Sequence, residues 1–363
     1  MCFGNIYVTG YLWHAVICAN IRQLSVAHLV LSVSSGWAPR STTTKSERMG
    51  FISEFRYPTK WYSRLVIAIL ALSFFALLAA TAISGYLVYR IVFPTESHSE
   101  IDLQDFPGHP QTLVYNVPGE KGPRNGWFFP GLKSAPTVLL CPAYQSSHGE
   151  LLTLASALQD HQYNVLLFDF SAQGSNGGRT TLGFREIAEL RAAMNAVANR
   201  GDVDAGRFGL WGMDLGGYVA LAESAGDPRV RALAVESPYD RPDEMVGLLV
   251  RRTGLGSLPL ITSITKWIFH LVNHQYRKVP PLQANIEKLA GVAQLYLESP
   301  DDPVLATSTR ELYRVSPPPH ELVILSQGNY AGMQDDEKRN YENRIVSFFL
   351  VNLPPVVEVS QQH

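Results

Sequence analysis

FGLWGMDLGG, residues 208–217, decides the fold. The run from Arg207 to Gly212 is almost wholly apolar, as expected of a strand buried on both faces, and LGGYVALAESA from Leu215 reads as a helix. Only one or two residues separate them, so the chain must reverse abruptly. Gly212 and Gly216 flank the reversal. Asp214 stands at its apex, at the start of the helix.

Working outward, the same alternation recurs. TVLLC (137–141) and YNVLLFDF (163–170) are continuous apolar runs, and between them Leu151, Leu154, Ala155 and Leu158 mark one helical face. That is a β-α-β unit. A helix from Gly183 to Ala198 carries Ile187, Leu190, Met194 and Val197 on one side, and VRALAVESP supplies the strand after the 208–217 turn. The alternation pauses at about 239–289 with mainly helical letters, then resumes with VAQLYLES, TSTRELYRV, ELVILS and a last helix carrying Tyr341, Ile345, Phe348 and Phe349. Two opening strands, QTLVYNV and NGWFFPG, precede all of this. The pattern predicts an α/β domain over 111–353, with a mostly parallel sheet flanked by helices, a helical lid at about 239–289 and a tail at 354–363.

Ahead of that domain, LVIAILALSFFALLAATAISGYLVY (65–89) is uncharged and exceeds the thickness of a hydrocarbon core, about 30 Å. It is expected to be a transmembrane helix acting as a signal anchor. The small residues in AATA would suit a cleaved signal peptide, but the apolar run continues beyond them. Arg48, Arg56, Lys60 and Arg64 precede the span, whereas Glu96, Glu100, Asp102 and Asp105 follow it, which places the N-terminus in the cytoplasm and the domain on the other side. Residues 49–64 form a short basic leader and 90–110 a polar linker. Residues 1–48 sustain no helical stripe, and the chain reads as a normal anchored protein from Met49, so they are expected to be a non-native or disordered extension.

The 363 residues, 46% hydrophobic and 17% charged, are enough for one large core plus the anchor. A net charge of −2 argues against nucleic acid as a partner. Cys2, Cys18 and Cys141 make no disulfide framework.

The order of elements and the letters at their ends resemble the α/β-hydrolase superfamily over roughly 111–350. GMDLGG follows its G-x-S-x-G nucleophile elbow, with Asp214 in place of serine. FDFSAQGSNGG is similar to its D-x-R-G-x-G-x-S segment, keeping Asp169, Gly174 and Ser175 but carrying Ser171 where arginine is usual. The resemblance places the acid of the triad at Asp302, in SPDDPVLA, and its histidine position at Tyr330, in SQGNYAGM. It implies an oxyanion hole from the backbone N–H groups of Tyr144 and Leu215. Two of three triad positions are therefore substituted, which makes a pseudoenzyme of hydrolytic ancestry the expectation.

Two readings of Asp214 follow. As a nucleophile it would attack an alkyl halide or epoxide and form an ester, whose hydrolysis needs a base; a tyrosine with an ordinary pKa near 10 is a poor one. Attack on a carboxylic ester would give a mixed anhydride. As a structural group, Asp214 would accept hydrogen bonds at the positive end of the helix, a cap contributing about 0.5–2 kcal/mol. Tyr330 would then bridge Asp302 or Asp214. A third route, through Ser171 or Ser299, lacks the elbow position.

His148 lies in the loop after the third strand and reads as a surface residue rather than a base. His270, His274 and His320 read as packing or solvent-facing groups. No metal-ligand spacing and no cofactor motif appears. The lid residues Leu258, Leu260, Ile261, Ile264, Trp267, Ile268, Leu271 and Val272 suit packing over an apolar chamber, with a small apolar ligand as the expected occupant. Arg251, Arg252, Lys266, Arg277 and Lys278 read as a solvated basic face.

Overall fold

A computed structural model describes residues 61–94 and 108–355, apart from positions 121, 175, 277 and 327. The N-terminal extension with Cys2 and Cys18, the leader from Met49 to residue 60, most of the linker, Ser175, Arg277 and the end of the tail lie outside the described residues. The chain divides into two compact units, 1–72 and 73–363. In the first, the described part is the opening of a long helix, α1 (Trp61–Val92). The second holds the rest of α1 and the α/β domain.

Eight strands form one sheet: β1 (Gln111–Asn116), β2 (Pro123–Phe129), β3 (Thr137–Cys141), β4 (Asn164–Phe168), β5 (Phe208–Met213), β6 (Val230–Glu236), β7 (Ala293–Glu298) and β8 (His320–Ile324). Their spatial order is β1-β2-β4-β3-β5-β6-β7-β8. β1 and β2 run antiparallel, and β2 joins β4 antiparallel; every other pairing is parallel. The six parallel strands are those linked through helices, because a parallel return needs a crossover. These are α2 (Leu152–Asp160), α3 (Glu186–Ala198), α4 (Leu215–Ser224), α5 (Pro242–Arg252), α6 (Pro259–Val272), α7 (Pro303–Val315) and, after β8, α8 (Asp335–Asn352).

Successive residues of a strand face opposite sides, so the apolar runs supply two cores at once. Leu139, Cys141, Phe168, Phe208 and Leu210 belong to one cluster, with α3, α4 and the α5–α6 insertion. Val138, Leu140, Leu167 and Trp211 belong to the other, with α2 and α8. All six residues of β5 are buried, as its central place in the sheet requires.

Within the second unit, α1 does not stand apart from the domain. Ala80, Ser84, Leu87, Val88 and Ile91 are buried, spaced as one helical stripe. Ser84 Oγ donates to the Ile261 carbonyl at the start of α6 (3.2 Å), the Tyr144 hydroxyl donates to the Ile91 carbonyl (3.0 Å), and Thr180 N donates to the Val92 carbonyl (2.9 Å). The sequence gives no reason to separate this stripe from the span, since both are apolar. The difference lies in what covers each: Phe74, Phe75, Leu77, Leu78, Ile83, Tyr86 and Tyr89 are all exposed.

Candidate functional site at the carboxyl ends of the strands

The turn between β5 and α4 is as tight as its glycines imply. A Cβ at Gly216 would lie 2.1 Å from the Cys141 carbonyl oxygen, and one at Gly212 would lie 2.4 Å from the carbonyl of Gly216. Between them Asp214 has φ +39° and ψ −96°, a backbone conformation that side-chain-bearing residues rarely take. The fold holds it there: its N–H donates to the Glu236 carbonyl of β6 (2.9 Å), and its carbonyl accepts from Tyr218 N (2.9 Å).

The Asp214 side chain bends back onto the backbone. Its Oδ1 accepts from Tyr144 N at 2.9 Å and also from Leu215 N, closely. These are the two donors expected to form an oxyanion hole, and both converge on one carboxylate oxygen. Burial pushes the Asp214 carboxyl up to about 6, opposed by the two N–H groups and by Arg252. At neutral pH it is therefore mostly ionised, with its charge facing the site that a substrate oxyanion would need.

Tyr330 is placed in the loop after β8, but it bridges neither carboxylate. Its hydroxyl donates to Glu342 Oε1 of α8 (2.8 Å) and meets Thr153 Oγ1 of α2 (3.0 Å). Its ring is fully buried, edge-on to Trp211 and tilted against Tyr341. The expected bridge to Asp302 or Asp214 is thus corrected. An aromatic ring gains more by entering the core between α2 and α8 than by standing in a polar cleft, and its hydroxyl finds partners there.

Asp302 is the N-cap of α7, accepting from Val304 N (2.9 Å) and Leu305 N (3.4 Å). The loop that carries Tyr330 is met instead by its neighbour Asp301, whose Oδ2 accepts from Asn329 N at 2.7 Å. Adjacent aspartates point to different places, and letters alone do not say which points where.

His148 is a second correction, for it is buried rather than a surface residue. Its Nδ1 lies 2.7 Å from Asp169 Oδ2, its backbone N–H donates to Asp169 Oδ1 (2.7 Å), and its ring stacks on Trp127. Asp169 holds that loop in place. A Cβ at Gly174, φ +52°, would lie 2.1 Å from Asp169 Oδ2, which is why glycine stands there. Ser171 accepts from Arg124 Nη2 (2.7 Å) and its hydroxyl donates to Glu189, so a guanidinium from β2 reaches the segment where the resemblance would supply an arginine.

Glu236 was not anticipated. It ends β6, paired in register with Met213 and so beside the elbow. Its carboxyl accepts from Tyr330 N (3.0 Å) and from the Tyr341 hydroxyl (2.7 Å), and burial together with the nearby Asp214 charge pushes it up to about 7. Trp211 Nε1 donates to the same Tyr341 hydroxyl at 3.1 Å. A carboxylate closing the apolar run ALAV of this strand, VRALAVE, was the available signal. Ser237 follows it with φ +49° and a buried hydroxyl that has no partner among the described residues. No group of three or more His, Cys, Asp or Glu side chains suited to a metal occurs among the described residues.

Residues 138–352 match the sequence profile of the alpha/beta hydrolase family. An esterase of Pyrococcus furiosus superposes with a TM-score of 0.57 at 20% identity, covering 72% of this chain and 99% of the other. The α/β hydrolase GrgF of a Penicillium species superposes at 0.52 and 18% identity, covering 67% and 99%. By sequence, the uncharacterized protein YqkD of Bacillus subtilis is 26% identical over 60% of this chain and 72% of its own length. An uncharacterized Mycobacterium tuberculosis protein is 35% identical, over 31% of this chain and 41% of its own length. The chain thus spans less than half of that mycobacterial relative.

Proposed function

Because this chain belongs to the alpha/beta hydrolase family, we propose that it is a membrane-anchored member with hydrolytic ancestry whose elbow carboxylate is structural, so that ester hydrolysis is lost or greatly reduced. One observation carries this reading: Asp214 Oδ1 occupies both backbone donors, Tyr144 N and Leu215 N, that would stabilise a tetrahedral oxyanion. An anion entering there meets a filled hole and a like charge. The position of the Tyr330 hydroxyl, bound by Glu342 and Thr153, removes the nearest substitute for the missing histidine. What remains is a ligand-binding or scaffolding role, with a small apolar molecule under the α5–α6 insertion as the proposed ligand.

The strained backbone at Asp214 favours a second reading. A φ of +39° is kept at the position where a hydrolase presents its nucleophile, and a carboxylate there can attack an sp³ carbon. In that reading the substrate is an alkyl halide or epoxide. The experiment is turnover of short aryl esters, haloalkanes and epoxides by the detergent-solubilised full chain and its Asp214→Asn variant. The structural reading expects neither protein to exceed buffer; wild-type turnover abolished by Asp214→Asn establishes the nucleophile reading instead.

A further inference from the structure

We propose that the outer face of α6 lies in the bilayer interface, so that the domain touches the membrane through a second helix besides its anchor. The inference rests on reading α1 as that anchor.

At about 100° per residue, α6 divides into three arcs. Ile261, Thr265 and Phe269 are buried against the domain. Thr262, Ser263, Lys266 and His270 form a polar arc, where His270 Nε2 pairs with Asp243 Oδ1 of α5 (2.7 Å). The third arc holds Leu260, Trp267 and Leu271, exposed by 55%, 64% and 59%. Leu258, just before the helix, is exposed as well. Packing of the insertion therefore covers Ile261, Ile264, Ile268 and Phe269, wholly or in part, and leaves Leu258, Leu260, Trp267, Leu271 and Val272 uncovered. A helix apolar on one exposed arc and polar on the next is the form that lies in an interface with its apolar side turned to lipid.

What covers the third arc is indicated by its neighbour. The Ser84 hydroxyl of α1 bonds to the Ile261 carbonyl, in the first turn of α6. From Ser73 to Val92 the uncovered large apolar residues of α1 are Phe74, Phe75, Leu77, Leu78, Ile83, Tyr86 and Tyr89. Aromatic residues on the last turns of such a helix mark the level of the headgroups. α6 begins at that level, in contact with the buried stripe of α1, so its exposed apolar arc continues the lipid-facing surface of the anchor. Tyr144 links the same end of α1 to the elbow, through its hydroxyl on Ile91 and its N–H on Asp214. The candidate site is thereby held next to the membrane.

The test uses the full chain with Cys2→Ser and Cys18→Ser, reconstituted in phosphatidylcholine vesicles. An environment-sensitive fluorophore is attached at Trp267→Cys, at Leu271→Cys, at Phe75→Cys in α1 and at the exposed Arg339→Cys of α8, and quenching by doxyl-labelled lipid is measured. All four positions are exposed, so folding is not at stake. The expected result is at least twofold stronger quenching at 75, 267 and 271 than at 339, with a blue-shifted emission. Quenching at 75 but water-like signals at 267 and 271 would overturn this inference and leave the anchor intact. Water-like signals at 75 as well would overturn the anchor and this inference with it.

Discussion

Asp214 Oδ1 and the backbone nitrogen of Tyr144 lie 2.9 Å apart, in a hydrogen bond that ties the elbow side chain to the loop after β3. The pair separates two substitutions that differ by a few atoms. Asp214→Asn keeps an oxygen for Tyr144 N and Leu215 N and suits a positive φ, so stability should change by less than about 1 kcal/mol. Asp214→Ala leaves both donors without the partner and strains a residue that avoids this conformation, and should destabilise by roughly 2 kcal/mol. Chemical denaturation in detergent distinguishes them.

Restoring the family's letters should not restore its chemistry. Asp214→Ser with Tyr330→His replaces a buried ring packed on Trp211 and Tyr341 by a smaller polar one, and residue 330 stays tied through its N–H to Glu236. The double variant is expected to show no esterase turnover and to lose about 2–3 kcal/mol of stability. Turnover of a short aryl ester well above either single variant would mean that the loop can bring position 330 to the elbow.

The half-buried Asp214 and the buried Glu236 give the fold a pH dependence of definite sign. Asp214 and Glu236 are pushed up to about 6 and about 7, above the unfolded values of roughly 4. Between about pH 4 and pH 7 the folded state binds more protons than the unfolded one, so these groups lower stability as pH rises through that window. Thermal midpoints should fall from pH 5 to pH 8, and the fall should be smaller in Asp214→Asn and in Glu236→Gln. A steeper fall in either variant would contradict the assignment.

His148 should act on stability alone. Removing its ring deprives Asp169 of one of its partners and Trp127 of its stack, which should cost His148→Ala about 2 kcal/mol. His148→Gln, which can still offer a donor to Asp169, should recover part of it.

The fold was legible because its signal is repeated: continuous apolar strands, one helical face between each pair, and glycines where an added Cβ would lie 2.1–2.4 Å from a neighbouring backbone atom. The resemblance named the Tyr144 and Leu215 N–H groups as a pair, and in the fold both reach Asp214 Oδ1. Side-chain direction was not legible. SPDD does not say that Asp301 meets the last loop while Asp302 caps α7, and CPAYQSSHG does not say that His148 turns inward to Asp169. Nor do the letters of α1 tell an apolar stripe packed beside Ile261 from one left uncovered. These are choices made by partners distant in the chain, Ser84 and Ile261 or Tyr330 and Glu342, which no local pattern contains.

The most direct measurement of the central claim, that Asp214 is a filled cap and not a nucleophile, is the intact mass of the full chain after incubation with reactive alkyl halides and epoxides from pH 5 to pH 9. A nucleophilic carboxylate lacking a histidine to release its ester would retain the alkyl group. The account predicts an unchanged mass at every pH. A single alkyl addition mapped to Asp214, absent from Asp214→Asn, would contradict it.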